Sequence, residues 1–182
     1  MFNLLTTMPF ILTVEPHRDS WSRDFEVESA KIRGALGSAL NALHHIGSTA
    51  IPGIYAKPII DMIADVSSLE AVDQRLHAMQ ALGYESMGEY GIPGRRYFRK
   101  NDSSGMRTHQ IHAFVHQSPH IERDLAFRDY LRAHPDTAQA YSELKRKLVQ
   151  TCNGDFEAYM DGKESFIKDV KREAVDWAAK RD

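Results

Sequence analysis

His45-Ile46-Gly47-Ser48-Thr49-Ala50-Ile51-Pro52-Gly53-Ile54-Tyr55-Ala56-Lys57-Pro58-Ile59-Ile60-Asp61 is the stretch that decides the fold. An apolar run (Ala42, Leu43, Ile46) leads into Gly47-Ser48, and a loop with two prolines and a second glycine follows. A second apolar run, Ile59-Ile60-Asp61-Met62-Ile63, then carries one acid. Gly47 and Gly53 permit positive φ and close backbone approach. Pro52 and Pro58 fix the loop's shape and keep the residues before them out of a helix. Such a loop offers backbone N–H groups and a hydroxyl to an anion, as phosphate-binding loops do. Lys57 adds a point charge for the same ligand. An acid inside an apolar strand needs a partner, which a metal ion or a ligand donor would supply. The same residues are also what an ordinary strand-connecting loop looks like, and a lone acid in a strand can simply cap a neighbouring element.

Working outward, helical spacing of Trp21, Phe25, Ile32, Leu36 and Leu40 predicts a helix from 21 to about 39, capped by Ser20. Residues 10–14 read as a first strand, and residues 1–8 as either part of it or a frayed end. Strands at 42–46 and 59–66 flank the central loop. Ser67 or Ser68 caps a helix to about 82 with Leu69, Val72, Leu76 and Met79 inward, ended by Gly83. Further strands fall at 84–87, 97–100 and 106–115, the last two joined by the turn Asn101-Asp102-Ser103-Ser104-Gly105. In the last strand His109, Ile111 and Ala113 face one way and Gln110, His112 and Phe114 the other. His112 is open to two readings, a metal ligand or general base on one hand and a satisfied core histidine on the other. Between Gly88 and Gly94 a loop ends in Arg95-Arg96, a pair suited to clamping phosphate or carboxylate, or else a solvated loop end. From Pro119 the pattern turns helical. One helix stops at Pro135, a second is capped by Asp136, and a third opens at Asp155 and runs to about 179.

These blocks are similar to those of the GrpB family. The central stretch resembles that family's HIGSTAVPG signature and KPIID segment. Gly91-Ile92-Pro93-Gly94-Arg95-Arg96-Tyr97-Phe98 resembles its GIPGRRYF block, and Thr108-His109-Gln110-Ile111-His112 resembles its THHLH strand, with Gln110 in place of the first histidine of HLH. The segment 125–135, LAFRDYLRAHP, resembles a further family block. Tyr141 with Leu144-Lys145, and Tyr159 with Lys163 and Phe166, fit the C-terminal YxxLK and YxxxKxxF patterns. The resemblance runs from about residue 10 to about 175 without large gaps. It implies a nucleotidyltransferase-like fold, in which a Gly-Ser pair at the start of a helix faces a strand bearing metal-binding acids. Nucleotidyltransferases generally carry a second acid two residues on. Here that position is Ile63, as in the family's own single-acid pattern, and Asp65 is the next acid on the same strand face.

The expected architecture is α/β (α+β): a mixed sheet of about five strands (sheet core about 10–116), helices on one face, and a C-terminal helical part at about 119–180, all in one domain spanning 1–182. Residues and resemblance together mark Ser48, Asp61 and His112 as candidate catalytic groups. Candidate ligand contacts are His45, Gly47, Ser48, Thr49, Lys57, Arg95, Arg96, Tyr97, Arg128 and Lys145, with Arg132 and Lys163 as further cations on the helices. Asp61, His112 and Asp65 are the candidate holders of Mg²⁺ or Mn²⁺, with a nucleoside triphosphate as substrate. Three functions follow: transfer of a nucleotidyl group to a small molecule or protein, non-catalytic binding of a nucleotide or coenzyme, or a pure interaction role with a degenerate site. The resemblance to a domain fused behind some dephospho-coenzyme A kinases adds a role in folding or regulation. A protein partner stays open.

Composition bounds the classes. The 182 residues are 42% hydrophobic and 26% charged, as in ordinary globular proteins of a size to bury a core. A net charge of −2 disfavours generic nucleic-acid binding, which needs a basic surface. One cysteine, Cys152, leaves no intramolecular disulfide and suits a reducing compartment. The apolar start, residues 1–12, lacks a basic region and a cleavage site and is interrupted by Pro9. No membrane association and a cytoplasmic location are therefore expected.

Overall fold

The computed structural model describes residues 12–181. Helix α1 (Ser20–Leu36) buries Trp21, Phe25, Ile32 and Leu36, the stripe its spacing predicts. Ser20 is its first residue rather than its cap, and Asp19 in the cap position makes no side-chain capping bond. A 3₁₀ turn leads into β1 (Leu40–Ile46), two residues longer than expected at its start. A second 3₁₀ turn, Ser48–Ala50, opens the central loop, and β2 (Ile60–Val66) closes it. The predicted helix at 67–82 is two short ones, α2 (Leu69–Asp73) and α3 (Leu76–Ala81). Arg75 N donates to Val72 O (2.9 Å), tightening the chain between them to a 3₁₀ turn while Val72 and Met79 both stay in the core. Ser68 caps α2 as predicted, accepting from Ala71 N at 3.0 Å.

Strands β3 (Tyr84–Ser86), β4 (Arg96–Asn101) and β5 (Arg107–Val115) complete a five-stranded sheet in the order β1-β2-β5-β4-β3. β2 and β5 are parallel and the other neighbours antiparallel, so the sheet is mixed. The first strand expected at 10–14 reaches outside the described residues, and residues 12–14 form none. Glu15 makes an isolated bridge to Ala56 instead, exchanging two main-chain hydrogen bonds of 2.9 Å with it.

The two sheet faces have different covers. Leu43, Met62, Ala64, Val66, Phe98, Ile111 and Ala113 pack under α1, α2 and α3. The opposite face, with Ile46, Ile63 and Phe114, receives Ile121 and Leu125 of α4 (Pro119–Ala133) and Ile92 of the loop before β4. Helices α5 (Pro135–Thr151) and α6 (Phe156–Ala178) join α4 in a bundle that packs Phe127, Leu131, Tyr141 and Val170 against Ile51 and Ile54 of the central loop. α5 starts at Pro135, so Asp136 lies in its first turn and His134 holds the cap position. Asp155 caps α6 through Ala158 N at 3.1 Å. No described helix is long and apolar enough to cross a membrane.

Gly47 connects the sheet to the loop under tight constraint. Its φ is +70°, and a Cβ there would stand 2.6 Å from Asp61 Oδ2 across the β1–β2 pair. Gly94 has a similar φ, +76°, with open space around it. Replacement by Ala should cost about 1–2 kcal/mol at Gly94 for its positive φ and about 1–3 kcal/mol at Gly47, whose ψ of −172° places it in a region essentially reserved for glycine. Gly47→Ala should cost a further ~1–3 kcal/mol for the clash. Urea denaturation of the two variants measures the difference; equal costs would rule out the close approach of Asp61.

Candidate functional site

The central loop is held down by the helical bundle almost residue by residue. His45 and Thr49 share a hydrogen bond (2.9 Å), and Thr49 Oγ1 donates to Ile59 O (3.1 Å), closing the loop on itself. Arg132 Nε donates to Ala50 O (2.8 Å) and Gln139 Nε2 to Gly53 O (3.1 Å). Ser142 Oγ accepts from Tyr55 N (2.8 Å). Lys145, only 2% exposed, donates from Nζ to Ser48 Oγ (2.9 Å) and to Tyr55 O. Its ammonium also lies 4.4 Å from the centre of the Tyr141 ring. Buried main-chain carbonyls that would otherwise lose water are thereby satisfied.

Beside this clamp stands Asp61, paired with Ile46 at the mouth of the loop. Part of its surface remains open, yet the bundle packed over it desolvates the carboxyl and pushes its pKa up to about 7, against the pull of Lys163 and Lys57. Burial, together with the Lys163 charge, lowers Lys57 to about 8 and Lys145 to about 7. Lys163 is itself lowered by burial, with Asp61 opposing. Tyr159 carries both ammonium groups on its ring, Lys57 at 4.6 Å and Lys163 at 4.8 Å, and Phe156 sits 4.3 Å from Lys57. The site is thus Lys57 and Lys163 acting on the Asp61 carboxyl beside Gly47, with Lys145 on Ser48 and repelled by Lys163. An open groove of about 640 Å³ between α4 and α6 meets it only at Lys163.

The remaining candidates go elsewhere. His45, 8% exposed and stacked on Phe25 at 5.0 Å, is kept neutral by burial, with a pKa down to about 4. With Thr49 it shapes the loop rather than facing the lysines. Arg95, 5% exposed, donates to Glu89 O (3.2 Å), Tyr90 O (2.7 Å) and His112 Nδ1 (3.1 Å). His112 is thereby occupied, and burial takes its pKa to about 4. Arg96 forms a two-pronged bridge to Asp73 (2.7 Å each). Arg128 pairs with Asp129 and donates to His45 O (3.0 Å). Asp65, four residues along β2, accepts from Asn41 (2.9 Å) and meets His116 Nδ1 (2.7 Å). Asp61, His112 and Asp65 therefore do not converge. Among the described residues no group of three or more His, Cys, Asp or Glu side chains could hold a metal ion.

Sequence reasoning left Lys163 in the background and missed Tyr141 and Tyr159 as site residues. The signal was present. Tyr141 with Lys145, and Tyr159 with Lys163, are i,i+4 pairs that put ring and ammonium on one helix face.

The class of protein is set by the backbone. Cid1 in complex with its short product ApU superposes with a TM-score of 0.52, at 12% identity over 72% of this chain and 42% of that one. Cid1 poly(U) polymerase with MgGTP bound gives 0.53, at 12% identity over 74% and 45%. The fold is nucleotidyltransferase-like. The family model described as GrpB protein matches residues 11–173, and the chain belongs to the GrpB family. The crystal structure of GrpB from Enterococcus faecalis superposes with a TM-score of 0.87, at 38% identity over 91% of this chain and 99% of that one. UPF0157 protein YqkA of Bacillus subtilis (strain 168) is 44% identical over 161 residues, 88% of this chain. A dephospho-CoA kinase of Mycolicibacterium paratuberculosis is 30% identical over 186 residues, 90% of this chain. The chain spans about half the length of these last two proteins, 46% of each.

The raised Asp61 pKa has a sign for stability. A carboxyl that keeps its proton in the folded chain up to about pH 7 stabilises it fully below the ordinary carboxyl pKa, and that contribution is lost as the pH rises through about 7. The stability of wild type relative to Asp61→Asn should therefore fall between about pH 4 and about pH 7. Urea midpoints across that range test this, and a flat difference would contradict it.

Proposed function

We propose that the protein binds a phosphorylated small molecule, a nucleoside triphosphate or a close analogue, at the Gly47–Ser48 turn. One observation carries this reading: Lys57 and Lys163 both stand on the Tyr159 ring beside a single acid, Asp61, while Lys145 Nζ reaches Ser48 Oγ at 2.9 Å. Burial lowers the proton affinity of all three lysines, and the Lys163 charge lowers that of Lys57 and Lys145 as well. A polyanion in their midst would reverse that by restoring full charge to all three. Ser48 Oγ, already 2.9 Å from Lys145 Nζ, would join them as a donor. The nucleotidyltransferase-like fold and the dephospho-CoA kinase relative are consistent with a ligand built on a phosphorylated nucleoside.

Binding is favoured here over nucleotidyl transfer. Asp61 provides one carboxylate, and Asp65 is engaged by Asn41 and His116. The described residues thus do not make up a divalent-metal centre, and we derive no transfer step through Mg²⁺ or Mn²⁺. The Arg95-Arg96 pair is likewise absorbed by Glu89, Tyr90, His112 and Asp73.

Thermal-shift titration with nucleoside triphosphates and coenzyme A, each with and without Mg²⁺ or Mn²⁺, tests the reading, since a ligand of the folded state raises the midpoint. Lys163→Met should weaken triphosphate binding by at least about tenfold, the loss of one desolvated charge-assisted contact. Arg96→Ala should leave it unchanged. No shift with any compound would overturn the proposal, and a shift that needs metal and disappears in Asp61→Asn would move the function towards transfer.

A further inference from the structure

Tyr90 is an aromatic ring propped up on the loop before β4. It is 60% exposed, which is unusual for a tyrosine in an ordered loop, and its φ is +44°, a conformation that costs a β-carbon residue free energy. That conformation is held from below: the buried Arg95 guanidinium takes Tyr90 O at 2.7 Å and Glu89 O at 3.2 Å. Glu89 Oε1 closes the loop on Gly94 N (2.7 Å), and Ile92 anchors it among Ile46, Ile63 and Phe114. The Tyr90 ring stacks on Tyr97 (centroids 5.3 Å apart, planes at 23°), which rests on His112 (5.2 Å), with the Arg95 guanidinium 5.0 Å from the Tyr97 centroid. His112, Tyr97 and Tyr90 thus form one pile of rings with the exposed member outermost.

The pile stands on the Asp61 side of the sheet. Asp61 pairs with Gln110 and Gln110 with Arg99, while Tyr97 lies two residues before Arg99 and so points to the same face. Tyr97 Oη accepts from Arg107 Nη1 (3.2 Å), and that same guanidinium acts on Asp61. Asp61 is therefore acted on by ammonium groups from α6 and the central loop, and it acts in turn on Tyr97 in the stacked aromatics of β4 and its loop.

We infer that Tyr90 is the stacking platform for a planar heteroaromatic ring, the purine or pyrimidine base of the ligand whose phosphates the lysines take. The inference rests on the proposed phosphate site and adds what the other end of the ligand is. A ring face offered with its backbone already strained into place loses little further freedom on binding, and stacking a base on an aromatic side chain is a substantial, sequence-tolerant attraction. A site meant for inorganic phosphate or polyphosphate alone has no use for it.

The test compares inorganic tripolyphosphate with ATP and UTP by calorimetry, on wild type, Tyr90→Asn and Tyr90→Phe. Asn accepts the left-handed backbone, so the loop is kept and the ring removed; Phe keeps the ring. At least one nucleotide should bind wild type about tenfold or more tighter than tripolyphosphate, and Tyr90→Asn should remove most of that gap while Tyr90→Phe preserves it. Tripolyphosphate affinity should be the same in all three proteins. Equal affinities for nucleotide and tripolyphosphate, or a Tyr90→Asn loss shared equally by both, would overturn the stacking role and leave the phosphate site standing. Failure of all three compounds to bind wild type would overturn both.

Discussion

The buried ammonium of Lys145 is the contact on which the rest of the site depends. It leaves α5, crosses to the loop between β1 and β2, and satisfies Ser48 Oγ and Tyr55 O there. Taking a lysine out of water costs several kcal/mol unless its donors are used. Here they are used on groups that would otherwise be orphaned. The same residue thereby sews the C-terminal bundle to the sheet and delivers a cation to the Gly47–Ser48 turn. Arg132, Gln139 and Ser142 repeat the stitch along the loop, so the loop's shape is dictated by helices that lie far away in the chain.

Asp61 sits where this stitching leaves too many positive charges for one carboxyl. Burial favours its neutral form and the lysines favour its charged form, and burial dominates. Lys57 and Lys163 feel the mirror image of the same competition. Holding Asp61 and the three lysines away from their preferred states stores electrostatic work, which a bound anion of the kind proposed would release.

The arginines follow a different logic. Arg95, Arg96, Arg128 and Arg132 each spend a planar, many-donor head on main-chain carbonyls or a neighbouring carboxylate. A guanidinium satisfies several acceptors at once and cannot shed its charge, so it serves well as internal scaffolding. Lys57 and Lys163, with point charges on flexible stems, are the cations whose charge acts most on Asp61. Adjacent arginines after a glycine loop look like an anion clamp in one dimension, yet Arg95 turns inward to His112 and Arg96 turns to Asp73 on α2.

Much of the fold was legible from local signals. Helical stripes in α1 and α4, the Ser68 and Asp155 caps, the turn at 101–105 and the alternation along β5 all follow from period, capping and turn chemistry acting over a few residues. The Gly47–Ser48 turn and the acid at Asp61 were legible for the same reason, because adjacent strands place them together. Which cations would reach that acid was not. Lys145 lies 97 residues from Ser48 in sequence, and whether it, Lys163 or an arginine arrives depends on how α5 and α6 pack over the loop. Likewise, the sequence shows Asp65 and Asp61 on one strand face, but strand rise keeps them about 13 Å apart and separate neighbours claim Asp65. Sequence determines which elements form and which residues share a face; only tertiary packing decides which of those residues lose water together, and that shared desolvation makes the cluster a site.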